Sequence, residues 1–321
     1  QKLRKLVDTR TQEFLNDPIL PLLVRMAAPN TIAFFIQAIV VLTEVWFISK
    51  LGTTSLAAVA LAFPILMITQ QMAFGALGGA VTSSIARSIG AGDTERAEKL
   101  LWHSLLIASC GAFVFLLAFL LGGESLLKIL GGEGPLLEES LSYCMIFLTG
   151  GILIWLSGSL SAALRGMGNM RYPAMLMSIS SGMQVILSGG FILGWFGFPK
   201  LGIAGAAVSA LASGGFMSLM MFLKLSSSSS KINLKISRFS FEKELFKDIL
   251  DVFLPASLAP VFTVGTVLVL TGLVGQFGTT ALAGYGIGSR VEFLMIPLVF
   301  GIGTAMTAMV GTNIRAKNIE R

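Results

Sequence analysis

Long apolar runs separated by short polar stretches dominate this chain, and several of them reach 18 residues or more. At 1.5 Å per residue such a run crosses a hydrocarbon core of roughly 30 Å as a helix. The apolar–polar alternation that barrel strands require is absent, so the pattern predicts an all-α polytopic membrane protein. Eight spans are expected, at 29–49, 54–88, 98–121, 138–163, 172–196, 201–225, 252–275 and 280–311. The second and eighth exceed a simple crossing and are expected to tilt or project beyond the membrane.

The pattern also repeats. Leu51-Gly-Thr-Thr-Ser-Leu-Ala57 returns as Phe277-Gly-Thr-Thr-Ala-Leu-Ala283, an offset of 226 residues that also pairs Pro29 with Pro255 and Gly75 with Gly301. Duplicated helix bundles are frequent in secondary transporters, whose substrate sites lie where the repeats face each other. Ser226-Ser-Ser-Ser-Ser230 and the mixed-charge stretch after it read as a linker. The expected organisation is a cytoplasmic or interfacial segment over 1–28, a six-span first lobe over 29–225, a cytoplasmic linker over 226–251 and the first two spans of a second lobe over 252–321. A second lobe copying the first would need four more spans, so the chain reads as about two thirds of a twelve-span protein.

Composition agrees with this picture. The chain is 54% hydrophobic and 12% charged, with a mean hydropathy of +0.82, whereas a soluble surface normally needs about 25% charge. The net charge of +6 does not indicate nucleic acid, because the basic residues sit between the spans and are not interleaved with aromatics. Nineteen Lys and Arg fall on one side of the membrane and three on the other, with Arg290 inside a span. By the positive-inside rule both visible ends are expected in the cytoplasm, with the protein in the cytoplasmic membrane. No cleaved signal peptide is expected. Cys110 and Cys144, isolated within apolar runs, read as buried small hydrophobes.

Enzyme signatures are lacking: no G-x-x-x-x-G-K-[ST], G-x-S-x-G or H-E-x-x-H occurs, and His103 is the single histidine. Its position at the start of the third span suggests an interfacial side chain. The chain is read as a non-enzyme with no cofactor, drawing instead on an H⁺ or Na⁺ gradient.

Glu44 stands out within the first span. A carboxylate facing lipid costs roughly 2.5 kcal/mol or more, so Glu44 is expected to face protein or water and to exchange a proton or ion there. The alternative is snorkelling, since only about 8 Å of helix rise separates it from the outer end. Pro29 either hinges the first span or starts it. Gln184 and Ser188 lie one turn apart on one face of the fifth span, where interhelical hydrogen bonding is the simplest role. Gln37 and Ser161 complete the cavity-lining candidates. Arg290 and Glu292, two positions apart in the eighth span, are the second-lobe candidates and point to different faces.

Several stretches, taken in order, resemble the multidrug and toxic compound extrusion (MATE) family. Thr43-Glu-Val-Trp-Phe-Ile-Ser-Lys-Leu-Gly52 is similar to the family's "D-T-x-x-x-G-x-x-G". Arg87-Ser-Ile-Gly-Ala-Gly-Asp93 with Ala97 is similar to "Q-x-x-G-A-G-[DN]-x-x-x-A". Leu164-Arg-Gly-Met-Gly-Asn-Met-Arg-Tyr-Pro173 resembles "L-R-G-x-G-[DN]-x-[RK]-x-P", and Leu201-Gly-Ile-Ala-Gly-Ala-Ala207 resembles the opening of the sixth span. The resemblance implies two six-helix lobes around a cavity, embedded in the lipid bilayer, and export of amphipathic, often cationic, small molecules across it in exchange for H⁺ or Na⁺. It implies a monomer if complete. It also places Glu44 at the first-span acid, Pro29 at the first-span proline, Gln184 and Ser188 at fifth-span Asn and Asp positions, and Ser161 at a fourth-span polar position. Other readings are a lipid-linked oligosaccharide flippase of the same superfamily, a channel, or a non-transporting membrane scaffold.

Overall fold

The structure, a computed structural model, describes residues 13, 15–227, 240–275 and 295–318. Among these residues every regular element is helical. The repeated Phe277–Ala283 segment, Arg290, Glu292 and most of the serine-rich linker lie outside them.

Helix α1 (Ile19–Ser49) starts ten residues ahead of the expected span, so Pro29 lies inside it. Pro29 is therefore not a helix-start proline. Lacking an N–H, it leaves the carbonyl of Arg25 without its helical donor and permits a bend there. Helix α2 (Thr53–Gly90) is α-helical at both ends and widens into π-helical turns over Gln71–Leu77. Its 38 residues explain why the apolar run exceeds a single crossing.

Helix α3 (Thr94–Ile129) is started by Asp93, whose carboxylate accepts the Arg96 N–H at 2.9 Å. Glu95 in its first turn and Lys128 in its last complement the helix dipole. Helices α4 (Gly134–Thr149) and α5 (Gly151–Gly166) together form the fourth span, but they meet at 47° across Gly150. A Cβ at Gly150 would collide with the Leu211 side chain, so the bend depends on close approach of a neighbouring helix. Helix α6 (Arg171–Leu193) ends at Gly194, which adopts the left-handed conformation (φ 80°) that favours glycine. Helix α7 (Ile203–Ser226) follows.

After the linker, α8 (Lys243–Gly275) begins nine residues before the expected span, inside the segment read as linker, and contains Pro255 and Pro260. Helix α9 (Met295–Arg315) completes the described chain. Counting the bent pair as one crossing gives up to eight spans, as the apolar pattern predicts.

Packing places α6 between α1 and α7, while α9 lies against α1 and the second half of α2. Helix α8 runs along the π-helical segment. The main core is built from small and aliphatic residues such as Ala73, Leu77, Val81, Leu101, Ala163 and Met221. Apolar side chains also cover the outside: Ile32, Ile39 and Leu42 of α1, and Phe113, Leu117 and Leu121 of α3, are exposed. That surface suits contact with lipid tails rather than water. Cys110 belongs to it, which corrects its expected burial, whereas Cys144 is buried.

One end of the bundle carries a charged junction between α2, α3 and the start of α8. Asp248 accepts from Arg87 at 2.8 Å and from Arg96 at 3.2 Å, and Lys99 pairs with Glu242 at 2.8 Å. The Lys99 ammonium holds the Glu242 carboxyl below its ordinary range. This contact is therefore present above the ordinary carboxylate value and is lost as pH falls through the lowered one. His103 is fully buried here, within the junction at this end of the bundle. Its Nε2 accepts the Glu242 backbone N–H at 2.9 Å while Nδ1 lies 2.7 Å from the Lys99 carbonyl. The ring thereby bridges the start of α8 and the first turns of α3.

Close helix approach sets the architecture, and two glycines test it. A Cβ at Gly158 would come within 2.8 Å of the Ala73 carbonyl oxygen, which is backbone and cannot move aside, while a Cβ at Gly79 meets nothing within 4 Å. Gly158→Val is expected to destabilise the protein by about 1–3 kcal/mol through overpacking. Gly79→Ala is expected to be neutral or stabilising by up to about 1 kcal/mol. Thermal unfolding of both variants in one detergent checks the contrast; equal melting temperatures would contradict it.

Candidate functional site

Three polar residues of α1, Asn30, Gln37 and Glu44, recur every seven positions. Seven residues are close to two helical turns, so all three lie along one face. Ser181, Gln184 and Ser188 lie at three- and four-residue spacing along α6, which also gathers them on one face. The two stripes meet where α1 packs on α6.

Glu44 Oε1 accepts hydrogen bonds from Gln184 Nε2 at 3.0 Å and Ser188 Oγ at 2.6 Å. The carboxylate thus turns inward to α6 and does not snorkel. Gln37 Oε1 accepts from Ser181 Oγ at 2.8 Å, about two turns further along. Both residues bonded to Glu44 are neutral, and no salt bridge to it occurs among the described residues. A negative charge with hydrogen bonds but no counter-charge is an arrangement that favours uptake of a cation or proton.

Beside this pair lies a cavity of about 210 Å³, walled in part by Gln37 and Gln184. Its other walls come from the π-helical stretch, which contributes Gln71, Phe74 and Gly75, with Gln70 just before it. Widened turns rotate the residues that follow relative to a continuous α-helix, and such turns often occur at functional sites. Ser180 of α6 and Ser213 of α7 also line the space and are linked to each other, since Ser180 Oγ donates to the Ser213 carbonyl at 2.9 Å.

Helix α9 closes one side. Phe300 lines the cavity and packs on Phe34 of α1 with ring centroids 5.9 Å apart. One turn along, Asn30 Nδ2 donates to Thr304 Oγ1 at 3.3 Å and lies 3.4 Å from Met170 Sδ. Asn30 follows Pro29 directly, so the residue next to the proline is tied to a helix of the second repeat.

The structure thus joins Glu44, Gln184 and Ser188, and places Gln37 and Gln184 in a common wall. Ser161 is a correction: it is completely buried in α5, accepts a hydrogen bond from Arg165 on its own helix, and is absent from the cavity walls. A four-residue Ser–Arg spacing in the sequence already carried that signal. Asn30, Gln70, Gln71, Ser180, Ser181 and Phe300 were not singled out from sequence. Two adjacent amides at 70 and 71 within an apolar run were a legible sign, because polar side chains at membrane depth are expensive.

A protein-family model described as MatE matches residues 29–188 and 255–321. The FAD transporter of Shewanella oneidensis is 27% identical, over 96% of this chain and 68% of its own length. A probable multidrug resistance protein NorM of Thermotoga maritima is 29% identical, over 90% of this chain and 62% of its own length. Among solved structures, a MOP superfamily transporter from Pyrococcus furiosus, described as having a binding pocket of reverse polarity, superimposes with a TM-score of 0.89 at 29% identity. That match covers 97% of this chain and 68% of the other. An outward-facing multidrug resistance MATE family transporter gives a TM-score of 0.87 at 29% identity, covering the same shares. The chain therefore spans 62–68% of the length of these relatives.

The hydrogen bonds to Glu44 predict different outcomes for two substitutions. Glu44→Gln keeps an acceptor oxygen for Gln184 and Ser188 and is expected to leave stability within about 1 kcal/mol of wild type. Glu44→Leu removes the acceptor and strands both donors, with an expected loss of about 1–3 kcal/mol. Thermal unfolding of the two variants side by side distinguishes them; a Leu variant as stable as the Gln variant would contradict the hydrogen-bonded geometry.

Proposed function

Because the chain belongs to the MatE family, whose members are transporters and not enzymes, we propose that it exports amphipathic small molecules across the cytoplasmic membrane in exchange for H⁺ or Na⁺. Glu44 is the coupling group in this reading. The observation that carries it is the position of Gln184, which donates to Glu44 while also lining the cavity.

The shared glutamine supplies a physical route for coupling. Ionised Glu44 only accepts hydrogen bonds, so Gln184 turns its NH₂ towards it. Protonated Glu44 carries an O–H donor, which the Gln184 carbonyl oxygen can accept after the amide turns over. Sodium binding would likewise draw that oxygen inward. Either event changes which face of the amide the cavity presents, and so changes affinity for whatever lies there. Pro29 lets α1 bend as the two helices readjust, and the Asn30–Thr304 hydrogen bond would carry the movement to α9.

Relatives named as multidrug resistance proteins and as an FAD transporter support amphipathic, ring-containing substrates. The cavity walls carry no basic side chain among the described residues, which disfavours the flippase reading, since a lipid-linked pyrophosphate calls for cations.

Vesicles containing the full chain and loaded with an uncharged fluorescent amphipathic dye test the proposal. Efflux driven by an imposed pH or Na⁺ gradient is expected from wild type, and the effective gradient names the ion. Glu44→Gln is expected to abolish gradient dependence, and Pro29→Ala to slow efflux several-fold. Gradient-driven efflux unchanged in Glu44→Gln would remove Glu44 from the mechanism.

A further inference from the structure

The polar groups of the cavity can be counted as donors and acceptors once their internal hydrogen bonds are subtracted. Three hydroxyls line it, and each spends its proton on backbone: Ser157 on the Ile154 carbonyl, Ser180 on Ser213, and Ser213 on Ser209, all at 2.8–2.9 Å. Towards a ligand these oxygens can only accept. Gln184 has one amide hydrogen committed to Glu44, and the Gln37 carbonyl already accepts from Ser181. Gln70 and Gln71 have no hydrogen-bond partner among the described residues. What the walls offer a ligand is therefore primary amide: N–H donors from Gln37, Gln70 and Gln71, and carbonyl acceptors beside them.

No ionisable side chain belongs to the described walls, and Glu44 lies behind Gln184 rather than among them. The apolar part of the lining includes Phe34, Phe74 and Phe300. At about 210 Å³ the space is smaller than a typical drug-sized pocket, which suits one fused-ring system.

From these observations we infer that the cavity selects uncharged planar heteroaromatic compounds bearing a lactam or imide edge, read by its glutamine amides and enclosed by its phenylalanines. The inference rests on the export reading of this same cavity and specifies its substrate class. A primary amide presents a donor and an acceptor side by side, which matches the adjacent C=O and N–H of a lactam or imide. A lipophilic cation has no such edge and finds no carboxylate in the wall, leaving only attraction to the aromatic faces. A site built to pair a polar edge also discriminates against analogues that lack it, because its own groups are then left unsatisfied.

Equilibrium binding to the full chain in detergent micelles tests this with three probes: lumichrome, lumichrome methylated on its ring N–H groups, and tetraphenylphosphonium. Lumichrome is expected to bind, with affinity reduced about tenfold by methylation and similarly by Gln71→Leu. Tetraphenylphosphonium is expected neither to bind the cavity tightly nor to compete. Phe74→Ala, which removes an aromatic wall without touching an amide, separates the two levels of the claim. If tetraphenylphosphonium binds, loses affinity in Phe74→Ala and displaces lumichrome, or if methylation has no effect, the cavity is a ligand site but the substrate class is wrong. If neither lumichrome nor tetraphenylphosphonium shows binding sensitive to Phe74→Ala, the reading of this cavity as the transport site falls with it.

Discussion

A carboxylate on a membrane-spanning helix must find hydrogen-bond donors, water or a counter-ion, and the way Glu44 meets that demand organises the first half of the bundle. Its two donors, Gln184 and Ser188, both come from α6. Helix α1 must therefore keep a fixed rotation and height relative to α6. The Gln37–Ser181 contact repeats the same pairing two turns along, so the register is held at two points. Neutral donors stabilise the charge without cancelling it. That leaves room for the site to alternate between an ionised and a neutralised form, which a permanent salt bridge would suppress.

The cavity depends on backbone geometry as much as on side chains. Over Gln71–Leu77 the π-helical turns of α2 redirect one helix face and set Gln71 and Phe74 beside Gln37 and Gln184. The bend at Gly150 and the close approach of Gly158 to Ala73 bring α5 and α7 near enough to complete the wall. Small residues permit such approach in a bilayer, where lipid tails compete on equal terms with apolar side chains and dispersion contacts decide association. The abundance of glycine and alanine in this chain thus serves helix spacing, and spacing determines the cavity.

A second group of charges lies away from the cavity walls. Arg87, Arg96 and Asp248 meet at one end of the bundle together with Lys99 and Glu242, where partial exposure lowers the cost of ionisation. That junction fastens the start of α8 to α2 and α3, while Asn30 and Phe34 attach α1 to α9. The two described helices of the second repeat are therefore held by ionic contacts at one end and by packing and single hydrogen bonds along the membrane interior. Contacts of the second kind carry little desolvation cost and can exchange during a conformational change.

The spans themselves were legible in sequence because the bilayer tolerates no unsatisfied backbone, which forces long apolar helical runs. Glu44 was legible for the related reason that an ion in such a run demands an explanation. Helix ends were less so: α1 begins at Ile19, ten residues ahead of a proline that could itself start a helix, and α8 at Lys243, where apolarity has already faded but backbone hydrogen bonding continues. Rotation of one helix against another leaves only a faint trace in a segment apolar on every face. Hence the pairing of Glu44 with α6 emerged only in the folded bundle, which also decided what the hints at Gln70, Gln71 and Ser161 left open. Local composition determined which segments enter the membrane and which residue is costly there; the choice of neighbours was decided by tertiary packing, because it depends on distances between helices that no single helix encodes.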